Sequence, residues 1–288
     1  MANSFVAFQD PATGGITWLY QKVWLPAPGL KVYGGFATAM VSITDATSGN
    51  PVNPLSSDSV KFNLIGHNPI QSDVLSVLCN NNSQFAGRGF TTNFLAAAAY
   101  QESRFAEFTD IQGCSPTLTT SSITDGYPVQ ACDNGYGIMQ LTNGVPGGLN
   151  YNLPPKYWTG TPTQDMVWNW VSNVNAGTWV MINKFNEEMT YENKFTQDTG
   201  FYYPTIDQMQ MNVWQRYNGC AAHGAGCYYV WGCTYRDPTT GECVQYGWIK
   251  NPVLRQNQYI KCTINGVGVP YADCVNNIAE QHPNDWCK

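Results

Sequence analysis

Charge is scarce in this chain. Aspartate, glutamate, lysine and arginine make up 12% of 288 residues, and the 14 lysines and arginines stand against 20 acidic residues. Nucleic-acid binding draws on clustered cations that displace condensed counterions, so that class is excluded. No run of ~18 apolar residues occurs, which excludes a membrane-spanning helix. Histidine is confined to His67, His223 and His282, and no Ser-His-Asp arrangement can be read among them. Cys-x-x-Cys is also missing. A zinc site built from Cys220, His223, Cys227 and Cys233 is therefore disfavoured, since zinc ribbons carry close cysteine pairs. No metal or cofactor is expected. Met1 to Asp10 has neither the basic nor the apolar segment of a signal peptide.

What is present is cysteine, aromatic residues and turn formers. Ten cysteines, an even number, argue for disulfides and an oxidising compartment. Seven of them (Cys220, Cys227, Cys233, Cys243, Cys262, Cys274, Cys287) lie beyond Gly219. Cys114 and Cys132 bracket an insertion and are expected to staple it. An extracytoplasmic site, periplasmic or extracellular, follows from this composition. The missing leader leaves two routes open: removal of a leader, or export by another path.

The length leaves room for two domains on a ~150-residue prior. Residues 15–72 read as short strands at Ile16–Tyr20, Gln21–Leu25, Phe36–Ile43 and Ser59–Ile65. Val41, Ile43, Phe62 and Leu64 alternate with polar neighbours, the period of a half-buried sheet. The segment Ala39–Ile65, with its Asp45-Ala46-Thr47-Ser48-Gly49-Asn50-Pro51 turn, resembles small bacterial immunoglobulin-like modules. A β-sandwich over residues 1–75 is the expectation, serving as a spacer, docking or adhesion module, or as a stabilising cap. Val74–Leu78 would open the next domain, and Asn80–Ser83 reads as a loop. Helices are predicted at Thr92–Phe105, Thr163–Asn193 (broken near Asn175), Thr205–Tyr217 and Tyr271–Glu280. Thr92, Thr163 and Thr205 stand at N-cap positions and Gly219 at C′. A hairpin pattern runs from Gly232 to Thr263, turning at Asp237-Pro238-Thr239-Thr240-Gly241.

Two stretches carry the chemistry. Gln101-Glu102-Ser103-Arg104-Phe105 ends the apolar run Phe94-Leu95-Ala96-Ala97-Ala98-Ala99-Tyr100, so Glu102 projects from an otherwise apolar helix. Desolvation there penalises the charged carboxylate and keeps the proton on near neutral pH. A protonated carboxyl can give its proton to the leaving oxygen of a glycosidic bond. Gly135-Tyr136-Gly137-Ile138-Met139-Gln140 would bring a close-approaching backbone to the other side of a cleft.

With two further segments these residues resemble the lysozyme-like superfamily, especially soluble lytic transglycosylases and goose-type lysozymes. Glu102-Ser103, Gly137-Ile138-Met139-Gln140, Asn173-Val174-Asn175-Ala176-Gly177 and Tyr217-Asn218-Gly219 follow that family's order. The resemblance covers about Asn80 to the carboxyl terminus. It implies an α+β chain: the amino-terminal β-sandwich, then a mainly α-helical lysozyme-like domain over residues 76–288. A cysteine-rich insertion occupies about 220–265 of that domain. Glu102 is then the general acid, and the Tyr217 hydroxyl reaches its carboxylate. Ser103, Tyr136, Gly137, Met139, Gln140 and Asn218 are expected against substrate, with Tyr136 stacking on a sugar face. Ser103 would orient Glu102 or an N-acetyl group. Asn173 and Gly177 are read as fixing helix packing near the cleft.

Direct hydrolysis needs a second carboxylate, ~6.5–9.5 Å from the acid as a base or ~5 Å away as a nucleophile. Asp133 stands where goose-type lysozymes carry an acidic residue. The other acidic position of that relative is Thr142 here, which favours the alternative in which Glu102 works alone. Attack by the muramic C6 hydroxyl would then give a 1,6-anhydro product, effective molarity replacing the base. The expected activity is thus cleavage of peptidoglycan at the bond from N-acetylmuramic acid to N-acetylglucosamine, by a muramidase or a lytic transglycosylase. An antibacterial effector and a phage lysin are the settings that fit. The implied partners are peptidoglycan, a periplasmic immunity protein, or a delivery or virion component. A chitin substrate, and a non-catalytic wall-binding or particle-structural role, are the other readings. The net charge of −6 offers no general attraction to anionic wall polymers, so capture must rest on a specific groove.

Overall fold

A computed structural model describes residues 66–111, 113, 123–133, 135–142, 164–199, 203–219, 228–256, 260–283 and 285–287, plus four amino-terminal strands. Those strands are β1 (Val6–Gln9), β2 (Ile16–Leu19), β3 (Gly35–Met40) and β4 (Ser59–Leu64). They pair as two antiparallel ladders, β1 with β2 and β3 with β4. Ile16–Leu19 and Ser59–Leu64 lie where alternation placed strands, and β1 is an addition to that expectation. The strand expected at Gln21–Leu25 lies outside the described residues.

Beyond Gly66 the described residues mix helices with small antiparallel strand pairs. They include α1 (Gln71–Ala86), α2 (Phe94–Ser103), β5 (Phe108–Thr109) and β6 (Tyr127–Pro128). Then come α3 (Gln164–Trp168), α4 (Trp170–Thr199) and α5 (Ile206–Tyr217). The hairpins β7 (Tyr229–Arg236)–β8 (Cys243–Lys250) and β9 (Ile260–Ile264)–β10 (Val267–Pro270) lead into α6 (Tyr271–Gln281).

Helix α2 is the centre. Phe94 and Leu95 through Ala99 are buried, and a single helix is apolar all round only when other elements enclose it. The small alanines let α1 and α6 approach closely. Phe94 stacks on Trp214 of α5 at 5.1 Å between centroids, and the Trp214 indole donates to the Phe94 carbonyl at 3.1 Å. From α6, Tyr271, Ala272 and Val275 enter the same core.

Helix α1 corrects the loop expected at Asn80–Ser83, which is helical throughout. Asparagine favours turns because its side chain competes for backbone partners. Here the Asn82 amide instead donates to the Thr91 carbonyl and its oxygen accepts from Leu95 N–H, both in the following segment. Tertiary partners thus remove the local reason for a turn. The break in the long helix falls at Asn169, not near Asn175, and Asn169 Oδ1 accepts from Val171 N–H at 3.1 Å. Helix α5 follows its expected start, a full capping box between Thr205 and Gln208.

Three disulfides are described: Cys79–Cys287, Cys233–Cys243 and Cys262–Cys274. Cys132 is also disulfide-bonded. Cys114, Cys220, His223 and Cys227 lie outside the described residues. Since Cys233 is bonded to Cys243, it is no ligand in the zinc set considered above.

Candidate active site

Glu102 sits on the last turn of α2, and the chain reverses immediately after it. Arg104 and Phe105 adopt φ of 56° and 65°, the left-handed region that non-glycine residues avoid. Two such residues in a row put local strain next to the carboxylate. Tight packing holds the reversal, since Phe105 is buried edge-on to Tyr100 and Trp286.

An open pocket of about 180 Å³ lies over Glu102, lined by Ala131, Asp133, Gln140, Leu141, Thr142, Val180, Tyr217, Asn218 and Gly219. Burial, the largest influence, raises the Glu102 carboxyl from its ordinary range to about 7. A hydrogen bond from Tyr271 opposes that rise, the Asp133 charge adds to it, and the Lys261 charge opposes it. The geometry therefore supplies a carboxyl that holds its proton in weakly acidic solution and faces a cavity.

The hydroxyl that reaches Glu102 is Tyr271, donating to Oε1 at 2.6 Å. This corrects the expectation for Tyr217, whose hydroxyl donates to the Met139 carbonyl at 2.5 Å. Tyr217 stays at the site: it lines the pocket, and the Glu102 charge adds to burial in raising its phenol. Only the crossing of α6 over α2 brings the Tyr271 hydroxyl to the carboxylate.

The glycine-rich segment is pinned from beneath. Asn173 Oδ1 accepts from Met139 N–H at 2.8 Å, while its amide donates to the Tyr136 and Met166 carbonyls at 2.9 Å each. Gly137 has φ of 70°, and a Cβ there would stand 2.4 Å from Asn173 Nδ2 and 2.6 Å from Glu107 Oε2. Glycine is required on both counts. Gly177 of α4 lets Met139 lie flat on the helix, where a Cβ would meet its side chain at 2.4 Å. Asn173 and Gly177 thus fix packing beside the pocket, as expected.

Four residues expected against substrate do not line the pocket: the buried Gly137 and three more. Ser103 is 1% exposed, and its hydroxyl donates to the Ile138 carbonyl at 2.9 Å, tying α2 to the glycine-rich segment. Met139 is fully buried in the core. Tyr136 packs against Phe108, Val167 and Trp168. By contrast, Asp133, Gln140 and Asn218 do line the pocket. Asp133 is exposed at its rim and accepts from Gly135 N–H at 3.2 Å. Gln140, with φ of 45°, donates to the Gly137 carbonyl at 2.7 Å.

Glu107 is a second buried carboxyl that the sequence reading missed. Its Oε2 accepts from Ile138 N–H at 3.0 Å, and burial pushes its carboxyl well above the usual range. A lone acid in the apolar run Phe105-Ala106-Glu107-Phe108 was the available signal. It supports the glycine-rich segment from below and does not line the pocket. Among the described residues no cluster of three or more His, Cys, Asp or Glu could hold a metal. Compared with protein-family models, curated proteins and solved structures, the chain matches none.

Proposed function

We propose that the chain is a peptidoglycan-cleaving glycosidase in which Glu102 is the general acid. The observation that carries this is the carboxyl of Glu102, raised to about 7 by burial and facing an open pocket. A group of that acidity is protonated in weakly acidic solution yet strong enough to protonate a leaving sugar oxygen. The tyrosine hydroxyl on Oε1 leaves the other oxygen to carry the proton toward the bond. On this reading the helical part has the lysozyme-like arrangement, the residues before Gly66 form the immunoglobulin-like module, since the end of the expected 1–75 span lies in α1, and the protein works outside the cytoplasm as an antibacterial effector or phage lysin.

Hydrolysis is the favoured outcome. Asp133 lines the same pocket and its charge is felt at Glu102, so a water between them would have a base on one side. Thr142, also in the lining, favours the second reading. With no second acid there, the muramic C6 hydroxyl would attack and Glu102 would take its proton back.

Purified cell wall in a zymogram tests the assignment. Wild type should clear it, and Glu102→Gln should lower the rate ~10²–10⁴-fold while keeping the fold. Equal clearing by both proteins removes Glu102 from the mechanism. Product mass separates the two chemistries: hydrolysis leaves a reducing muramic end, whereas internal attack leaves an anhydro end lighter by one water. Anhydro products with Asp133→Asn fully active would make this a transglycosylase.

A further inference from the structure

Lys261 stands where β9 and β10 slip out of register. Cys262 is opposite Val269 and Ile260 is opposite Pro270, so the residue between them on β9 has no counterpart. A bulge of this kind bends its strand and re-aims the extra side chain. Two restraints tie its strand to the helix that reaches Glu102. The Cys262–Cys274 disulfide staples β9 to α6, and Pro270 is followed directly by Tyr271, which donates to Glu102. The Lys261 charge is felt at that carboxyl.

Among the described residues Lys184 pairs with Glu187, Lys250 with Asp273 and Arg216 with Glu188, while Arg88 lies over the Phe185 ring and Arg236 donates to the Gly241 carbonyl. Lys261 is exposed and enters none of the described ion pairs. Its position is held by strand, disulfide and helix while its ammonium stays open to solvent. On a chain of net charge −6, that makes Lys261 a local cation whose charge reaches Glu102, outside the pocket lining, on a surface otherwise unattractive to anions.

We propose that Lys261 is a specificity-determining residue that takes a carboxylate of the substrate, so that the pocket selects a glycan bearing anionic peptide stems over a neutral N-acetylglucosamine polymer. This rests on the glycosidase reading above. The ammonium is a mobile point charge with three donors, suited to one carboxylate on a flexible stem. Glu102 is faced by Tyr271, Tyr217, Asp133 and Lys261, and Lys261 is the cation among them.

The test measures binding and turnover separately. Full-length Glu102→Gln protein, with and without Lys261→Gln, is titrated with a soluble muramyl tetrasaccharide carrying free stem carboxylates, and with the same fragment amidated. Lys261→Gln should weaken binding of the anionic fragment about tenfold and leave the amidated one unchanged. Lys261→Arg should retain most of the affinity. In the Glu102 background, Lys261→Gln should raise KM on peptidoglycan with little change in kcat, and leave KM on glycol chitin unchanged. Its alkaline limb should move to higher pH, because Glu102 loses a nearby cation. Equal affinity for both fragments in both proteins overturns the role of Lys261, as does an equal loss on both. Binding that depends on Lys261 without any turnover would retain this inference and reject the glycosidase reading. No binding of either fragment rejects both.

Discussion

The Tyr271 hydroxyl donates to Oε1 of Glu102 at 2.6 Å, joining the last helix to a carboxyl 169 positions earlier in the chain. The hydrogen bond stabilises the charged carboxylate and so holds the Glu102 acidity below what burial alone would produce. The tyrosine itself keeps its proton, since burial and the Glu102 charge push its phenol well above the ordinary range. It is therefore a permanent donor.

Activity should follow that acidity. A general acid is lost as pH rises through its own acidity, so kcat/KM on cell wall should fall as pH passes about 7. Tyr271→Phe removes a hydrogen bond to the charged form, which moves the alkaline limb to higher pH. Asp133→Asn removes a negative neighbour and moves it to lower pH. Opposite displacements by the two variants check the electrostatics; a limb that neither variant moves would show that Glu102 does not set it.

Stability should decline in alkali. Burial, and then the Glu188 charge, raise Glu192 to about 9, with Arg216 opposing. The folded chain holds that proton while an unfolded carboxyl releases it near ~4.3. Native protein therefore binds more protons across this interval, and stability is greatest below it and falls as pH climbs to about 9. Glu102 and Glu107 act with the same sign. The urea midpoint should drop from weakly acidic to weakly alkaline solution, and Glu192→Gln should flatten the slope. A midpoint that rises over this range contradicts the assignment.

The disulfides should divide between stability and function. Cys79–Cys287 closes a separation of 208 residues and Cys262–Cys274 one of 12. Loop-closure entropy makes the former worth roughly 5 kcal/mol, the latter nearer 3. Replacing both cysteines of the long bridge by alanine should lower the melting temperature more. Replacing both of the short one should cost more activity per degree lost, because it frees β9 and the start of α6 beside Glu102. Paired thermal melts and cell-wall assays on the two double variants decide this.

The glycine-rich segment should tolerate little change. Asn173→Ala leaves Met139 N–H without its partner, at about 1–3 kcal/mol for a buried unsatisfied group, while the Tyr136 carbonyl still accepts from Leu141 N–H. Gly137→Ala meets both a left-handed backbone and a clash with Asn173. Both variants should be destabilised by more than about 2 kcal/mol in urea unfolding, with activity lost in parallel. A Gly137→Ala protein as stable as wild type would show that the segment can shift.

Much of the local structure was legible because its causes are local. The Thr205–Gln208 capping box starts α5, the Asp237–Gly241 turn joins β7 to β8, and the unbroken apolar run Phe94–Ala99 marks a helix enclosed on all sides. Glu102 itself stood out as a carboxyl on an apolar helix. These features depend on neighbours within about a turn of chain, which a linear pattern records.

What remained belongs to packing between distant segments. Asn80–Ser83 reads as a loop in isolation, yet Asn82 finds partners at Thr91 and Leu95 and the helix continues through it. Ser103 and Met139 sit next to site residues in sequence but turn inward, since one faces Ile138 and the other Gly177. By itself the sequence determined that Glu102 is a carboxyl ending an apolar helix, where α5 starts and where β7 turns into β8. Only the tertiary structure decided that Tyr271, not Tyr217, holds Glu102, and that Asp133 shares its pocket. Those choices depend on how α6 crosses α2 and where the glycine-rich segment is pinned, contacts whose sequence separation no periodicity encodes.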